Sequence, residues 1–198
     1  MATPRRIGAE DSKTREQLVD AAERLLLRDG YAAVSSRRVA AEAGLKPALV
    51  HYYFRTMDDL FLAVFRRRAE QNLTRLDRVL ESPQPLRALW ELSVEPSGTA
   101  FTVEFSALAN HRKAIRAEIA EYAERFRQMQ VEALTTRLPE LGWDTDEMPP
   151  AAFVVLLTAI SRVLAMEEGL GMSGGHAETL DLVERALTRL EGEAPQPE

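Results

Sequence analysis

Residues 34–60 read VSSRRVAAEAGLKPALVHYYFRTMDDL, and their spacing predicts two short helices joined by a tight turn. Ser35 or Ser36 can accept the free N–H groups of a first helical turn. Gly44 stands where the chain must leave that helix with a positive φ, which glycine adopts at little steric cost. Pro47 suits the first turn of a second helix, because its missing N–H is not needed there. This stretch therefore predicts a helix-turn-helix.

Helical patterns on both sides of this stretch predict a three-helix head. Before it, apolar residues recur at spacings of three and four and end at Gly30, as in an amphipathic helix with a glycine C-cap. After it, Thr56 and Asp59 form a capping box that opens a longer helix. Ala40 is small enough to let two helices cross closely, as DNA-reading helices do. The candidate DNA contacts are the outward-facing residues Ser35, Ser36, Arg37, Lys46, Pro47, Ala48, Leu49, His51, Tyr52 and Thr56.

Residues 18–60, roughly the first third of the chain, resemble the DNA-binding domain of the TetR family of transcriptional regulators. The likeness is carried by Asp29-Gly30-Tyr31, Val39-Ala40, Ala43-Gly44-Leu45, Val50, Tyr52-Tyr53-Phe54 and residues 56–60. Three positions depart from the family pattern: Lys46 replaces a usual Ser or Thr, Met57 replaces a Lys, and His51 replaces a tyrosine that commonly touches phosphate. Two short helices in an ordinary helical bundle are the alternative to this resemblance.

Composition supports a small basic domain joined to a larger acidic one. The 198 residues are 45% hydrophobic, which is enough for a substantial core. The chain has no cysteine, and this excludes a disulfide framework, a thiol nucleophile and a cysteine-based zinc site. The net charge of −6 divides into +3 over residues 1–55 and −9 over residues 56–198. Such an asymmetry favours DNA binding by the amino-terminal part.

The fold class predicted is all-α, with a helix-turn-helix head followed by a larger helical ligand-binding and dimerisation domain. Arg5 and Arg6 could reach a minor groove, but a solvated tail without function is the favoured interpretation of their segment. The arginine triplet at 66–68 is interpreted as a solvated face of the connecting helix, and contact with the DNA backbone is the less favoured alternative. The predicted parts are a flexible arm at 1–12, the DNA-binding domain at 13–56, the effector-binding and dimerisation domain at 57–191 and a tail at 192–198.

No targeting or membrane segment is expected from the sequence. The first residues, MATPRRIGAEDSK, contain no apolar run of the kind found in secretory signals. The longest apolar stretch, at 151–160, is interpreted as too short to cross a bilayer, since Arg162 follows it. We therefore expect a cytoplasmic protein without membrane contact.

The last two predicted helices, Pro150 to about Gly169 and His176 to about Leu190, carry extensive apolar stripes. The first of them is apolar on nearly every side, which is unusual for a surface helix of a monomer. Two such helices from each of two copies would form a four-helix interface, as the resemblance also implies, although internal core is an equal alternative on the residues alone. The expected interface residues are Phe153, Leu157, Ile160, Leu164, Leu180, Val183, Leu187 and Leu190.

The resemblance further implies an effector cavity in the larger domain, for an apolar or amphipathic small molecule. Plain bundle core is the simpler alternative for each candidate. Histidines at 51, 111 and 176 are too scattered for a metal cluster, and no HExxH, phosphate loop or GxSxG motif occurs, so no enzyme, metal site or cofactor is predicted. The residues expected to line the cavity are Trp90, Phe101, Glu104, Phe105, Leu108, His111, Tyr122, Phe126 and Met129.

The function predicted is that of a ligand-responsive transcriptional regulator, and a repressor is favoured. As a homodimer it would bind a palindromic double-stranded operator, because two-fold symmetry places two recognition helices about one DNA turn apart. The effector would release it from DNA. The alternatives are a DNA-binding activator or organiser without an effector, and a helical lipid-binding protein or enzyme with a vestigial head.

Overall fold

The computed structural model describes residues 12–194, and every regular element in that part of the chain is helical, which confirms the all-α prediction. The predictions for Arg5 and Arg6, for the rest of the arm before Ser12 and for the end of the tail lie outside the described residues. In chain order the elements are α1 (Lys13–Asp29), a 3-10 turn (Tyr31–Ala33), α2 (Ser36–Glu42), α3 (Pro47–Tyr53), α4 (Met57–Leu80), α5 (Pro85–Val94), α6 (Pro96–Ala109), α7 (Lys113–Glu140), α8 (Pro150–Gly169) and α9 (His176–Glu191).

The described residues form two compact units, each assembled from separate segments of the chain. The head unit contains the described residues up to Gln71 together with Ala100–Ala120, and the body unit contains Asn72–Thr99 and the described residues from Glu121 onward. Helices α4, α6 and α7 therefore each begin in one unit and end in the other. The boundaries expected at residues 56 and 191 separate functions, whereas the two units are separated by their internal contacts. The functional boundaries stay predictions.

The turn between α2 and α3 has the geometry that its residues predict. Gly44 adopts a φ of +68°, and the Leu45 N–H donates to the Ala40 carbonyl oxygen at 2.8 Å. Ala40 is fully buried, so α3 can pass close to α2 at this point. The left-handed residue and the hydrogen bond that follows it end α2 sharply and turn the chain into α3.

The start of α4 carries the predicted capping box. The Asp59 N–H donates to Thr56 Oγ1 at 3.1 Å, and the Thr56 N–H donates to Asp59 Oδ2 at 2.9 Å. Each side chain thus accepts from one backbone N–H that lacks a partner within the helix. This reciprocal pair fixes the residue at which the long helix α4 begins after α3.

The core of the body unit is built from α5, α7, α8, α9 and the end of α4. Glu191 of α9 caps the first turn of α5, because its carboxylate accepts from the N–H groups of Leu86 at 2.8 Å and Arg87 at 2.9 Å. The Arg87 side chain is buried and donates to Glu184 at 2.7 Å. The buried residues of this core are Leu76, Leu86, Leu89, Trp90, Leu134, Leu138, Val154, Leu157 and Leu187.

Helix α8 has the bounds that its sequence pattern predicts, and its apolar character extends beyond the stretch at 151–160. It has 20 residues and a mean hydropathy of 1.6 in its most apolar window, so by length and composition alone it is able to cross a membrane. The stretch at 151–160 is part of this longer helix, which continues through Arg162 to Gly169, and a single helix that passes this test is weak evidence for a membrane span. Only 17% of that window is buried inside the protomer, which leaves a broad apolar face uncovered.

Candidate nucleic-acid interface

Helix α3 presents one buried anchor and an exposed outer surface. Val50 is 1% exposed and points into the head, whereas Tyr52 is 43% exposed. The ten candidate DNA contacts all lie at the surface of the head unit: Ser36 and Leu49 are half-buried, and the other eight are exposed. The structure therefore brings these candidates together on α2, α3 and the segments that flank them. Whether they contact DNA stays a prediction.

Contacts with α1 fix the position of α3. The hydroxyl groups of Tyr53 and Ser12 share a hydrogen bond of 2.9 Å. The Arg15 guanidinium lies over the Phe54 ring, 5.1 Å from its centroid, in a cation–π contact. Tyr52 packs edge-on against Tyr53 with ring centroids 5.0 Å apart. Because the neighbouring rings are held in place, the exposed Tyr52 ring has a defined position on the outer surface.

A group of ion pairs between α1 and α2 neutralises part of the head's positive charge. Arg28 donates to Glu42 at 3.1 Å and to Asp29 at 3.2 Å, and Arg24 donates to Glu42 at 3.2 Å. Arg38 also pairs with Asp29. Hydrogen bonds from Arg28, and to a lesser extent from Arg24, lower the pKa of the Glu42 carboxyl. Arg28 likewise lowers the pKa of Asp29.

Three other cations surround α3 without such neutralisation. Arg37 on α2, Lys46 before α3 and Arg55 after it are exposed, and among the described residues none of them forms an ion pair. Arg55 was absent from the sequence-based candidates. A basic residue between Phe54 and the capping Thr56 was the available signal, since it must lie at the surface next to the end of α3.

Two of the candidate DNA contacts, Ser35 and Thr56, also cap helices. Ser35 is the N-cap of α2, and its hydroxyl oxygen accepts from the Arg38 N–H at 3.4 Å. The Thr56 hydroxyl oxygen is engaged in the capping box of α4. Each hydroxyl still has a proton to donate, so both can cap a helix and donate to a phosphate oxygen.

The candidate effector residues are divided between the two units. In the head unit, Phe101, Phe105 and Leu108 are buried, His111 is exposed, and Glu104 accepts from the Tyr31 N–H at 2.7 Å. In the body unit, Trp90 is buried in the core, while Tyr122, Phe126 and Met129 are half-buried. The rings of Tyr122 and Phe126 lie 5.6 Å apart. A shared cavity for the nine residues stays a prediction.

The candidate dimer residues fall mostly on the inner side of α8 and α9. Leu157 and Leu187 are buried in the core of one protomer, so internal core is the correct interpretation for these two. Phe153, Ile160, Leu164, Val183 and Leu190 are half-buried against that core, and Leu180 is exposed. Periodicity did not distinguish the faces, since α8 is apolar nearly all round. Other apolar side chains exposed on α8, on α9 and between them are Val155, Leu156, Val163, Met166, Leu170, Met172 and Leu182.

Comparison with known proteins places the similarity where this interface lies. Residues 18–64 match the family model described as bacterial regulatory proteins, tetR family. The nicotine-responsive transcriptional repressor HdnoR of Paenarthrobacter nicotinovorans is 36% identical over 75 residues, which cover 38% of this chain and 39% of HdnoR. The transcriptional regulator BetI of Brucella anthropi is 44% identical over 61 residues, 31% of each chain. The matches thus span less than two fifths of these relatives.

The likeness extends further in structure than in sequence. A TetR transcription regulator from Haloarcula marismortui superposes with a TM-score of 0.70 over 90% of this chain and 96% of the other, at 22% identity. At that identity the superposition shows a shared fold alone. The helical architecture from α1 to α9 is therefore that of a known group of proteins with a helix-turn-helix head.

Proposed function

Because this chain belongs to the TetR family of bacterial regulatory proteins, we propose that it is a transcriptional regulator that binds a palindromic operator as a homodimer. The observation that carries the proposal is the exposed surface of α3, flanked by Arg37, Lys46 and Arg55. In a helix-turn-helix, the second helix lies in the major groove and the first crosses the backbone. Helices α3 and α2 take these two positions.

The chemistry of the α3 surface suits this division of labour. Ala48, Leu49 and Tyr52 offer small, apolar and aromatic groups to base edges, above all to thymine methyls. The cations at 37, 46 and 55 are free to contact phosphates, which supply most of the affinity and set the register. Lys46 provides a charge at the start of α3 where relatives of the family usually have a hydroxyl.

We propose that the exposed apolar side chains of α8 and α9 form the interface of the homodimer. Val163 of α8 is 47% exposed and Leu182 of α9 is 60% exposed in the isolated protomer. Large apolar side chains exposed on two successive helices favour an interaction site. A second copy of the chain can cover these side chains, because a two-fold interface brings the same patch of both copies together.

The regulatory role proposed is that of a repressor released by an apolar or amphipathic small molecule. HdnoR, which matches the head, is by its name a nicotine-responsive repressor. An effector acts by binding one conformation of the dimer more tightly than the other, and the difference in affinity is its coupling energy. A regulator of this kind works where the chromosome is, so we propose a cytoplasmic location.

Fluorescence anisotropy tests the proposal, with the purified protein and labelled DNA from the flanks of its own coding sequence. Titrations across a salt series, with unrelated DNA as competitor, separate specific from non-specific binding. We expect specific binding that weakens steeply with salt. Equal affinity for both DNAs, or none for either, would contradict a regulator of the flanking genes and favour a helical carrier or enzyme with a vestigial head.

Matched variants locate the phosphate contacts in the same assay. Lys46→Ala with Arg55→Ala should reduce the slope of log affinity against log salt by about 1 for each phosphate that is no longer neutralised. Arg24→Ala is the control, because its guanidinium already donates to Glu42 at 3.2 Å. A slope that changes equally in both variants would show that phosphates are not bound beside α3.

A further inference from the structure

Glu104 of α6 forms a hydrogen bond with a backbone group far away in the sequence. Its Oε2 atom accepts from the N–H of Tyr31, 73 residues earlier in the chain, at 2.7 Å. Hydrogen bonds to an ionised carboxylate are shorter and roughly twice as strong as those between neutral groups. Both residues belong to the head unit, although α6 begins at Pro96 in the body unit.

The Tyr31 N–H stands at a junction that leads into the helix-turn-helix. The N–H of Gly30, directly before it, donates to the Leu26 carbonyl oxygen at 3.0 Å, and the N–H of Ala33, two residues after it, donates to the Gly30 carbonyl oxygen at 3.2 Å. Tyr31 opens the 3-10 turn, so its own N–H has no acceptor within that turn. Glu104 supplies the acceptor and caps the turn. The chain then passes through the buried Val34 to α2.

Gly30 lies directly against the Glu104 carboxylate, and its backbone conformation requires glycine. A Cβ atom at this position would come within 3.4 Å of Glu104 Oε2. The residue also has a φ of +78°, which the chain needs to end α1 and turn toward Tyr31. The family-like Asp29-Gly30-Tyr31 segment therefore both ends a helix and receives a side chain from α6.

Aromatic packing holds the part of α6 that carries Glu104. Phe101 and Phe105, one turn apart on α6, have ring centroids 4.5 Å apart, and the Phe105 ring is 5.2 Å from that of Phe65 of α4. Phe105 is almost fully buried, and the Arg68 guanidinium lies over the Phe101 ring. These contacts hold α6 in place, and with it the backbone that carries the Glu104 carboxylate.

We propose that Glu104 is a positioning residue that fixes the junction between α1 and α2, and that the DNA-binding position of α2 depends on this hydrogen bond. This inference rests on the proposed function, and it names the hydrogen bond within the head unit that orders the chain before the DNA-reading surface. When α6 holds Glu104 against Tyr31, the junction is ordered and α2 starts in its DNA-binding position. Without the Glu104 carboxylate, the Tyr31 N–H has no acceptor in the 3-10 turn and the junction loosens.

The test compares Glu104→Ala, Glu104→Gln and the control Glu121→Ala in the full-length protein. Glutamine keeps an acceptor oxygen at the same distance along the side chain, whereas alanine removes it. Glu121 is exposed on α7, and its replacement changes the net charge by the same amount. Three quantities are measured for each: affinity for the flanking DNA by anisotropy, exchange of the Tyr31 amide proton by NMR, and the mass of the native oligomer.

We expect Glu104→Ala to lose protection of the Tyr31 amide and to bind the operator about ten- to 100-fold more weakly, in line with the loss of one charge-assisted hydrogen bond. Glu104→Gln should recover part of both properties, and Glu121→Ala should leave both unchanged. This loss would run against simple electrostatics, since removal of a negative charge favours DNA binding.

The outcomes separate the two proposals. Wild-type affinity in Glu104→Ala would overturn the positioning role while leaving the regulator intact, and so would an unchanged Tyr31 exchange rate. If Glu104→Ala does not fold, Glu104→Gln decides: a slowly exchanging Tyr31 amide with reduced affinity would reject the positioning role. Wild-type protein that binds no flanking DNA would overturn the proposed function and, with it, the use of this hydrogen bond.

Discussion

Gly44 is required by backbone conformation and not by lack of space. Its φ is +68°, and a Cβ built at this position would meet no heavy atom within 4 Å. The Leu45 N–H that follows donates back to Ala40 and closes the turn. A residue with a side chain would therefore fit sterically against its neighbours but would strain its own backbone.

We expect Gly44→Ala to lower the free energy of unfolding by about 1–2 kcal/mol, the cost of placing an L-residue in the left-handed region. Gly44→Val should cost more, because a branched Cβ is a steric outlier there, and operator affinity should fall while the dimer persists. Urea unfolding measures the stability change. The control is Gly98→Ala in α6, which also has open space around it but an ordinary φ. Equal losses at both positions would mean that the turn does not need glycine.

The arginine triplet of α4 shows how an element acquires partners that its sequence does not reveal. Arg67 and Arg68 both pair with Glu23 of α1, and Arg66 donates to Glu118 of α7 at 2.7 and 2.8 Å. The prediction of a solvated face was wrong for Arg68, which is only 16% exposed. Its charge is compensated by an acid 45 residues earlier in the chain.

The two acids of this network should differ in their contribution to stability. Glu23 is 14% exposed and serves two guanidinium groups, whereas Glu118 pairs with Arg66, which is 59% exposed. Glu23→Gln should therefore reduce the free energy of unfolding by about 1.5–3 kcal/mol, the range for hydrogen bonds to charged groups. Glu118→Gln should cost about 1 kcal/mol or less, as exposed pairs do. Chemical denaturation of both variants compares them, and a larger effect at Glu118 would contradict this ranking.

The features of individual helices and turns that the sequence predicted correctly depend on residues close together in the chain. The turn at Gly44, the helix start at Pro47 and the Thr56–Asp59 capping box each depend on residues within four positions of one another. The acceptor for the Tyr31 N–H is Glu104, and the partner shared by Arg67 and Arg68 is Glu23; only the folded chain brings these residues together. The inner face of α8 was not identifiable for a related reason, since its apolar residues surround the helix.

At the scale of the whole molecule, the exposed faces of α8 and α9 should decide the oligomeric state. Val163→Glu or Leu182→Glu should weaken the dimer by roughly 100-fold or more, because an unpaired charge would be buried, and two-fold symmetry buries it twice. Sedimentation of the purified variants measures this. Val103→Glu is the matched control, since Val103 of α6 is 49% exposed and comparably apolar. Dissociation of all three variants, or of none, would place the interface elsewhere.

The stability of the whole protein should also depend on pH through its arginine–carboxylate pairs. Hydrogen bonds from Arg28 lower the pKa of Asp29, the bond from Arg66 lowers that of Glu118, and the bond from Arg87 lowers that of Glu184. These carboxyls bind protons less readily in the folded than in the unfolded chain. Stability from these pairs is thus present above their unfolded pKa values of about 4 and is lost as pH falls through the lower folded values.

We therefore expect the urea midpoint to stay nearly constant from pH 7 to about pH 5 and to fall steadily below about pH 4. Glu184→Gln should flatten that fall, because one linked proton is removed, and added salt at neutral pH should weaken the exposed pairs. The pair of Arg87 with Glu184 is the most informative of the three. The Arg87 side chain is only 7% exposed, so solvent screens this pair least on the arginine side. A midpoint that rises on acidification, or an acid limb unchanged in Glu184→Gln, would show that these pairs do not control stability.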